Sequence, residues 1–380
     1  MSIHERDQIA IIGVGTTSFR QLFEKKDATH SAYDLAADAF ALALADAGIE
    51  KDEIDGLFSA RVPSYIRMAD VLGIQRPKVL NGFDGAGRMS GVSLQLAAAA
   101  IQSGLATTIA LVYGNNGRSA GAKYGGETPS PTGLYDASYG MTSPGASLAL
   151  MWQRYTETYG VPDGALAPLA MNNRCNASLN PDAVFREPFD KQTYLDASYI
   201  AEPLRLLDYC LINDGGVALI VTTVERARKL GGPVVVLSAT AGRGDVTNFY
   251  ASDDYWLESS RAVAADLREK SGVGPDQIKC VQIYDNFTPT ILFSLEGFGF
   301  CEPGEGWRFV DQDFESPDAL AINTSGGHTS EGYMQGWALH AEAVRQLRGD
   351  SAGKQLKDVD VVQYICASPI ITSHIFRRLE

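Results

Sequence analysis

The sequence predicts an α/β protein, and three observations carry that prediction. Strand-like and helix-like segments alternate along the chain, one helix-to-strand corner recurs in both halves, and the composition is that of a soluble globular protein. With 380 residues, 45% of them hydrophobic and 21% charged, the chain is long enough for two lobes that each bury a core.

The elements follow in order. The apolar run Ile9 to Val14 reads as a first strand, and Leu35, Ala39, Leu42 and Ala43 recur at helical spacing from Ser31 to Ala47, where Gly48 stops the helix. A second helix is expected from Ser93 to Ile101, ending near Gly104 and leading into a mostly apolar strand at Thr108 to Tyr113. The later part repeats the plan, with a strand at Val234 to Leu237, a helix around Ser259 to Lys270 and a strand at Val281 to Tyr284. A helix from Gly336 to Leu347 and a strand from Val359 to Cys366 complete it.

An internal repeat supports this division. Gly48-Ile49-Glu50-Lys51-Asp52-Glu53-Ile54-Asp55-Gly56-Leu57 parallels Gly272-Val273-Gly274-Pro275-Asp276-Gln277-Ile278-Lys279-Cys280-Val281, with glycine, aspartate, isoleucine and apolar residues at matching offsets. Residues 1–225 and 226–380 are read as two related halves. Within the first, Gly114 to about Asn180 is rich in Gly, Ser, Pro and Tyr, and a loop-rich insertion is expected over about 114–200. Such loops shape a site or reach a partner; an oligomer-stabilising cap is the alternative.

Charge and cysteine content remove several function classes. A formal charge of -14 opposes nucleic-acid binding, which needs a basic footprint, and docking on anionic lipid. No stretch approaches the ~18 unbroken apolar residues of a membrane span. The opening apolar run is too short for a signal sequence, so a cytoplasmic location is expected. Five scattered cysteines without CxxC spacing indicate neither a disulfide framework nor a metal site.

The motifs differ in specificity. Gly13-x-Gly15 after the first strand matches the opening of a dinucleotide fingerprint, but Ser18 stands where the third glycine belongs and no clear helix start follows. Asn213-Asp214-Gly215-Gly216-Val217-Ala218-Leu219-Ile220-Val221 carries a DGxxAxxV pattern. Asn323-Thr324-Ser325-Gly326-Gly327-His328-Thr329-Ser330-Glu331-Gly332-Tyr333-Met334-Gln335-Gly336 approximates NxSGGxxxxGHPxG with its His-Pro pair replaced by Tyr333-Met334.

Together with Tyr284-Asp285-Asn286-Phe287 and the small-residue turn at Gly85 to Gly91, these motifs make the chain resemble the thiolase superfamily over nearly its whole length. The branch it resembles is the sterol-carrier and lipid-transfer-protein type, which carries HDCF where this chain has Tyr284 to Phe287. The resemblance implies a thiolase-like fold of two βαβαβ-type halves in a five-layered αβαβα sandwich, with the active site where the halves meet.

The family chemistry fails position by position. A thiolase needs a nucleophilic cysteine in the window matching Asn81 to Gly91, and none is present, so acyl transfer through sulfur at that point is excluded. The HDCF histidine corresponds to Tyr284 and its cysteine to Asn286; the GHP histidine corresponds to Tyr333. Cys366 lies near where other thiolases place a second cysteine, but lacks the glycines that should follow and reads as a buried structural thiol.

These departures resemble a side branch, the thiolase-like aldolases of bacterial steroid side-chain degradation, in which paired tyrosines at these positions serve a retro-aldol cleavage. The resemblance implies a β-hydroxyacyl-CoA substrate, for example a 17-hydroxy steroid side chain, split into a ketone and a shorter acyl-CoA such as propionyl-CoA. It implies no cofactor beyond the coenzyme A thioester, and a separate OB-fold partner that helps bind the acyl-CoA around a homodimer core. A non-catalytic lipid or acyl-CoA scaffold and a residual thiolase-type acyltransferase are the alternatives.

Retro-aldol cleavage needs a base for the β-hydroxyl proton, donors for the thioester enolate and an acid for the enolate carbon. Tyr284 and Tyr333 are the expected proton-transfer residues, in an order the sequence leaves open. A tyrosine with pKa near 10 is only ~0.1% phenolate at neutral pH, and lowering that pKa to 7 takes ~4 kcal/mol. Support is therefore expected from Asp285, Asn286, Asn323 and His328, with turn bracing or loop exposure as the alternative for each. Gly85 and Ala86 are expected to face the substrate where a cysteine side chain once stood, with an ordinary packing turn as the alternative.

Overall fold

A close approach of helix to strand organises the first half. The first strand, β1 (Ile9–Thr16), carries Gly13 and Gly15 because the helix that starts at Ala32 packs directly on them: a Cβ at Gly13 or Gly15 would collide with the backbone carbonyl of Ala43 or Ala39, respectively. The Gly-x-Gly pair thus serves packing. The helix α2 (Ala32–Ala47) starts at a Ser31 cap boxed with Asp34 and ends at left-handed Gly48. The computed structural model describes residues 8–25, 29–83, 89–123, 138–245, 254–316 and 318–379.

The remaining strands are β2 (Gly56–Ala60), β3 (Val79–Phe83), β4 (Thr108–Asn115), β5 (Tyr199–Ala201), β6 (Leu204–Arg205), β7 (Gly215–Thr223), β8 (Val234–Gly244), β9 (Cys280–Ile283), β10 (Ala321–Ile322), β11 (Val361–Cys366) and β12 (Ile370–Leu379). All but β5 and β6 join one mixed sheet in the order β10-β9-β11-β12-β8-β1-β7-β4-β2-β3. At its centre β1 and β8 meet through only Ala10↔Val236 and Ile11↔Val235. Outward from that seam, each side runs through two antiparallel pairings and then two parallel ones. The sheet therefore consists of two five-stranded blocks of the same plan. The expected boundary at 225/226 falls inside a short helix, Val224–Leu230, that bridges β7 and β8.

Among the helices, α1 (Phe19–Lys25) follows β1, and α3 (Tyr65–Leu72) links β2 to β3. Helix α4 (Met89–Gln102) and the late helix Trp337–Arg348 each touch strands of both blocks, so they form the layer between them. Outside, α2 covers β1, β4 and β7, while helix Leu257–Ser271 covers β8 and β12. The repeated corner is visible in both blocks: Gly48 and Gly272 each end a helix in left-handed conformation, a 3-10 turn follows, and a strand starts at Gly56 or Cys280. Similarly, Gly216 of the DGxxAxxV run admits the Leu35 carbonyl of α2, so a Cβ there would clash.

The stretch expected to be a loop-rich insertion is not all loop. It contains α5 (Pro144–Tyr159) and α6 (Ala167–Leu179). Ser143 caps α5 by accepting from Ala146 N–H with Pro144 in the first turn, and Leu148, Trp152 and Tyr155 bury its inner face. Residues 124–137, including Tyr135, lie outside the described residues. Tyr139 is 87% exposed, whereas Tyr155 sits in the core with its hydroxyl on Glu296. No helix among the described residues is long and apolar enough to cross a membrane.

Candidate active site

Two loops that leave neighbouring parallel strands build the site. Strand β9 runs into Tyr284-Asp285-Asn286-Phe287 before helix Thr288–Gly297, and β10 runs into Asn323 to Gly336 before the helix Trp337–Arg348. Tyr284 N–H continues the sheet by donating to Ile365 O at 2.8 Å. Tyr333 N–H donates to the Asn213 side chain at 2.7 Å. The two phenol oxygens then meet 2.8 Å apart.

Both phenols are uncharged at neutral pH. Burial raises Tyr284 well above the usual tyrosine range, and the neighbouring Tyr333 raises it further. Tyr333 is also raised by burial and by the Cys210 thiol, although hydrogen bonds from Tyr284 and Gln335 pull it back. A lone phenolate at either position is therefore disfavoured.

His328 lies under the pair. Its ring contacts Tyr284 edge-on at 4.8 Å and Tyr333 at 5.1 Å. It is fully buried, contrary to the exposed-loop alternative. Gly336 N–H donates to its Nε2 at 3.0 Å, so in the neutral ring Nδ1 carries the proton, 3.2 Å from Asp285 Oδ1 though off the line of a well-directed hydrogen bond. Burial lowers its pKa to about 3. Both nitrogens face protein groups, and the ring packs against both phenols.

Asp285 is a buried brace. Its carboxyl accepts from His328 N–H at 2.9 and 3.0 Å and from Asn173 Nδ2 at 2.8 Å. Burial pushes its pKa up to about 8 against those donors. Asn323 has the geometry of the turn-bracing alternative: its amide engages Ile283, accepting from its N–H at 2.7 Å and donating to its carbonyl at 3.0 Å. It ties β9 to β10 from a left-handed backbone that asparagine tolerates. Asn286 is partly exposed at the same corner, and its carbonyl accepts from Cys210 N–H at 3.0 Å. Gly85 and Ala86 lie outside the described residues. Cys366 is fully buried at the end of β11.

Sequence reasoning missed an asparagine stripe on α6. Asn172 and Asn176 both donate to Ile322 O at 3.0 Å, Asn176 also to Asn323 O, and Asn180 to Ser325 O at 3.1 Å. Asn173 bridges Asp285 and Thr329. The insertion thus holds the tyrosine-bearing loop through its backbone. The i, i+4, i+8 spacing of Asn172, Asn176 and Asn180 was the available signal.

A doubled α/β scaffold with paired phenols at adjacent strand ends, Tyr284 buried and Tyr333 partly so, and no cysteine in the window of the thiolase nucleophile, defines a thiolase-like protein with altered site chemistry. Residues 243–373 match the family model of thiolase C-terminal domain-like proteins. The chain is 34% identical to a steroid side-chain-cleaving aldolase of Thermomonospora curvata, covering 96% of both chains. It is also 34% identical to a 17-hydroxy-3-oxo-4-pregnene-20-carboxyl-CoA lyase of Mycobacterium tuberculosis, over 90% of this chain and 92% of that one. A solved Ltp2-ChsH2(DUF35) aldolase superposes with a TM-score of 0.88 and 30% identity, covering 97% of each chain. The chain belongs to the thiolase superfamily, in the family of the steroid side-chain-cleaving aldolases.

Proposed function

We propose that this protein cleaves a β-hydroxyacyl-CoA by a retro-aldol reaction, with a 17-hydroxy steroid side chain as substrate and a 17-ketosteroid and propionyl-CoA as products. The observation that carries this reading is the 2.8 Å contact between the Tyr284 and Tyr333 hydroxyls in a site without a cysteine at the nucleophile window. Membership in an aldolase family supports it.

The reaction balances without an ionised phenol. The Cα–Cβ bond breaks and its electrons pass into the thioester as an enolate, while the β-hydroxyl loses its proton to one tyrosine as the ketone forms. That tyrosine hands its own proton to the other, which protonates Cα. Each phenol takes a proton as it gives one, so burial, which opposes a phenolate, does not oppose the relay. The shared hydrogen bond serves either direction, and the docking face of the substrate sets the order.

The DUF35 component named in the related aldolase suggests the partner: an OB-fold protein that helps bind the acyl-CoA, around a homodimer of this chain. The test mixes the chain with such a partner and a 17-hydroxy steroid acyl-CoA and measures ketone and propionyl-CoA. Release of both in equal amounts is expected. No release with any steroid or simpler β-hydroxyacyl-CoA would overturn the reading and favour an acyl-CoA-binding scaffold.

A further inference from the structure

A second pair of buried hydroxyls adjoins the first. Ser90, in the first turn of α4, and Tyr364, on β11, place their side-chain oxygens 3.2 Å apart, and both residues are at most 2% exposed. They converge on Gly336, three residues beyond Tyr333: a Cβ there would lie 2.5 Å from Ser90 Oγ, 2.7 Å from the Tyr364 hydroxyl and 3.3 Å from Cδ2 of Tyr284. The Ser90–Tyr364 pair therefore stands beside the Tyr284 ring, reached from the first half through α4 and from the second through β11.

Its orientation is fixed by packing. The Tyr364 ring forms a triangle with two imidazoles, His340 at 3.8 Å and His374 at 5.5 Å between centroids, which lie 5.3 Å from each other. His340 Nδ1 is held by the Gly336 carbonyl at 2.8 Å, and His374 Nδ1 by Thr240 Oγ1 at 2.8 Å. A phenol packed against two anchored rings loses little freedom when a ligand arrives, which is what an electrostatic donor requires.

Retro-aldol cleavage has one demand the Tyr284–Tyr333 relay does not meet, a donor for the thioester oxygen on which charge accumulates as the bond breaks. Resting on the aldolase reading, we propose that Tyr364 and Ser90 meet it, holding the carbonyl oxygen of the acyl-CoA and then the enolate oxygen derived from it. No bond to either residue forms; the oxygen gains hydrogen bonds as it gains charge and returns to a carbonyl when Cα is protonated.

The test compares Tyr364→Phe and Ser90→Ala with the unaltered protein, each with the partner present, in two reactions. One is cleavage of the β-hydroxyacyl-CoA; the other is deuterium uptake at Cα of propionyl-CoA in heavy water, which passes through the same enolate without involving a β-hydroxyl. Tyr364→Phe is expected to lower kcat for cleavage about 100-fold, with KM changed by less than about threefold and exchange reduced in parallel. Ser90→Ala is expected to do the same more weakly, and the double variant to fall little below the worse single one, since the two act as a unit. A packing role would move the unfolding midpoint without this kcat-against-KM pattern. Wild-type rates in both variants, or lost cleavage with exchange intact, would overturn the assignment; should Tyr364→Phe fail to fold, Ser90→Ala decides alone. An unaltered protein that neither cleaves nor exchanges would instead remove the aldolase reading, and this role with it.

Discussion

Asn173 donates its side-chain amide to Asp285 Oδ2 at 2.8 Å, so a helix of the insertion grips the residue next to Tyr284 across 112 positions of sequence. The same amide reaches Thr329 Oγ1 at 2.9 Å, on the loop that carries Tyr333. One side chain therefore fixes the spacing of the two tyrosine-bearing loops. Asn173→Ala leaves a buried carboxyl short of a donor, and a stability loss of about 1–3 kcal/mol is expected. Denaturant unfolding measures it, and turnover should fall as well because the phenols lose their fixed separation.

The tyrosine pair should behave as one device. Tyr284→Phe and Tyr333→Phe each remove one oxygen from a relay that needs both, so each should lower kcat by about 100-fold or more, and the double variant should fall little further. Circular dichroism should report intact folding in all three. Substantial turnover by either single variant would separate the two residues.

Stability should decline from pH 6.5 to 8. Burial raises Glu331 from 4.5 to about 8 and Asp285 from 3.8 to about 8, so the folded state holds protons that the unfolded chain has released. Their contribution is complete below the unfolded values and is lost as pH rises through 8. The buried histidines act oppositely, since His328 and His340 are lowered from 6.5 to about 3 and about 4, but their contribution is already complete above 6.5. Each carboxyl then contributes a slope of at most about 1.4 kcal/mol per pH unit. Glu331→Gln should flatten part of the decline in unfolding free energy measured across that window.

No acyl-enzyme should accumulate. Intact-mass spectra after incubation with acyl-CoA are expected to show the unmodified chain, because the proposed reaction has no covalent intermediate. An adduct would revive the acyltransferase alternative and direct attention to Cys366 or Cys210.

Much of this arrangement was legible because it is local or periodic. Tyr284 and Tyr333 stood out as replacements within short motifs, and the corner at Gly48 reappeared at Gly272 because helix end, turn and strand start are written in consecutive residues. The asparagine stripe of α6 was not legible in the same way. The loop partners of its asparagines lie 112 to 156 residues away, and a polar face on a helix ordinarily signals solvent. His328 and Asn323 were singled out by sequence proximity, and His328 does pack on both phenols, but proximity does not say where an imidazole or an amide points. Their polar atoms turn toward Asp285, Gly336 and Ile283 instead of toward a substrate. The helices of the insertion were hidden by its glycine and proline content, although Ser143-Pro144 is an ordinary helix start.

The asparagine stripe separates the loop's course from its chemistry. The loop from Ile322 to Ser325 is anchored by its own carbonyls, which accept from Asn172, Asn176 and Asn180 whatever side chains stand at 284 and 333. Anchoring and reactivity thus rest on separate groups. The reacting groups at those two positions can be exchanged, histidine for tyrosine or the reverse, while the loop keeps its course, so a change of chemistry asks for new side chains and not for a new fold.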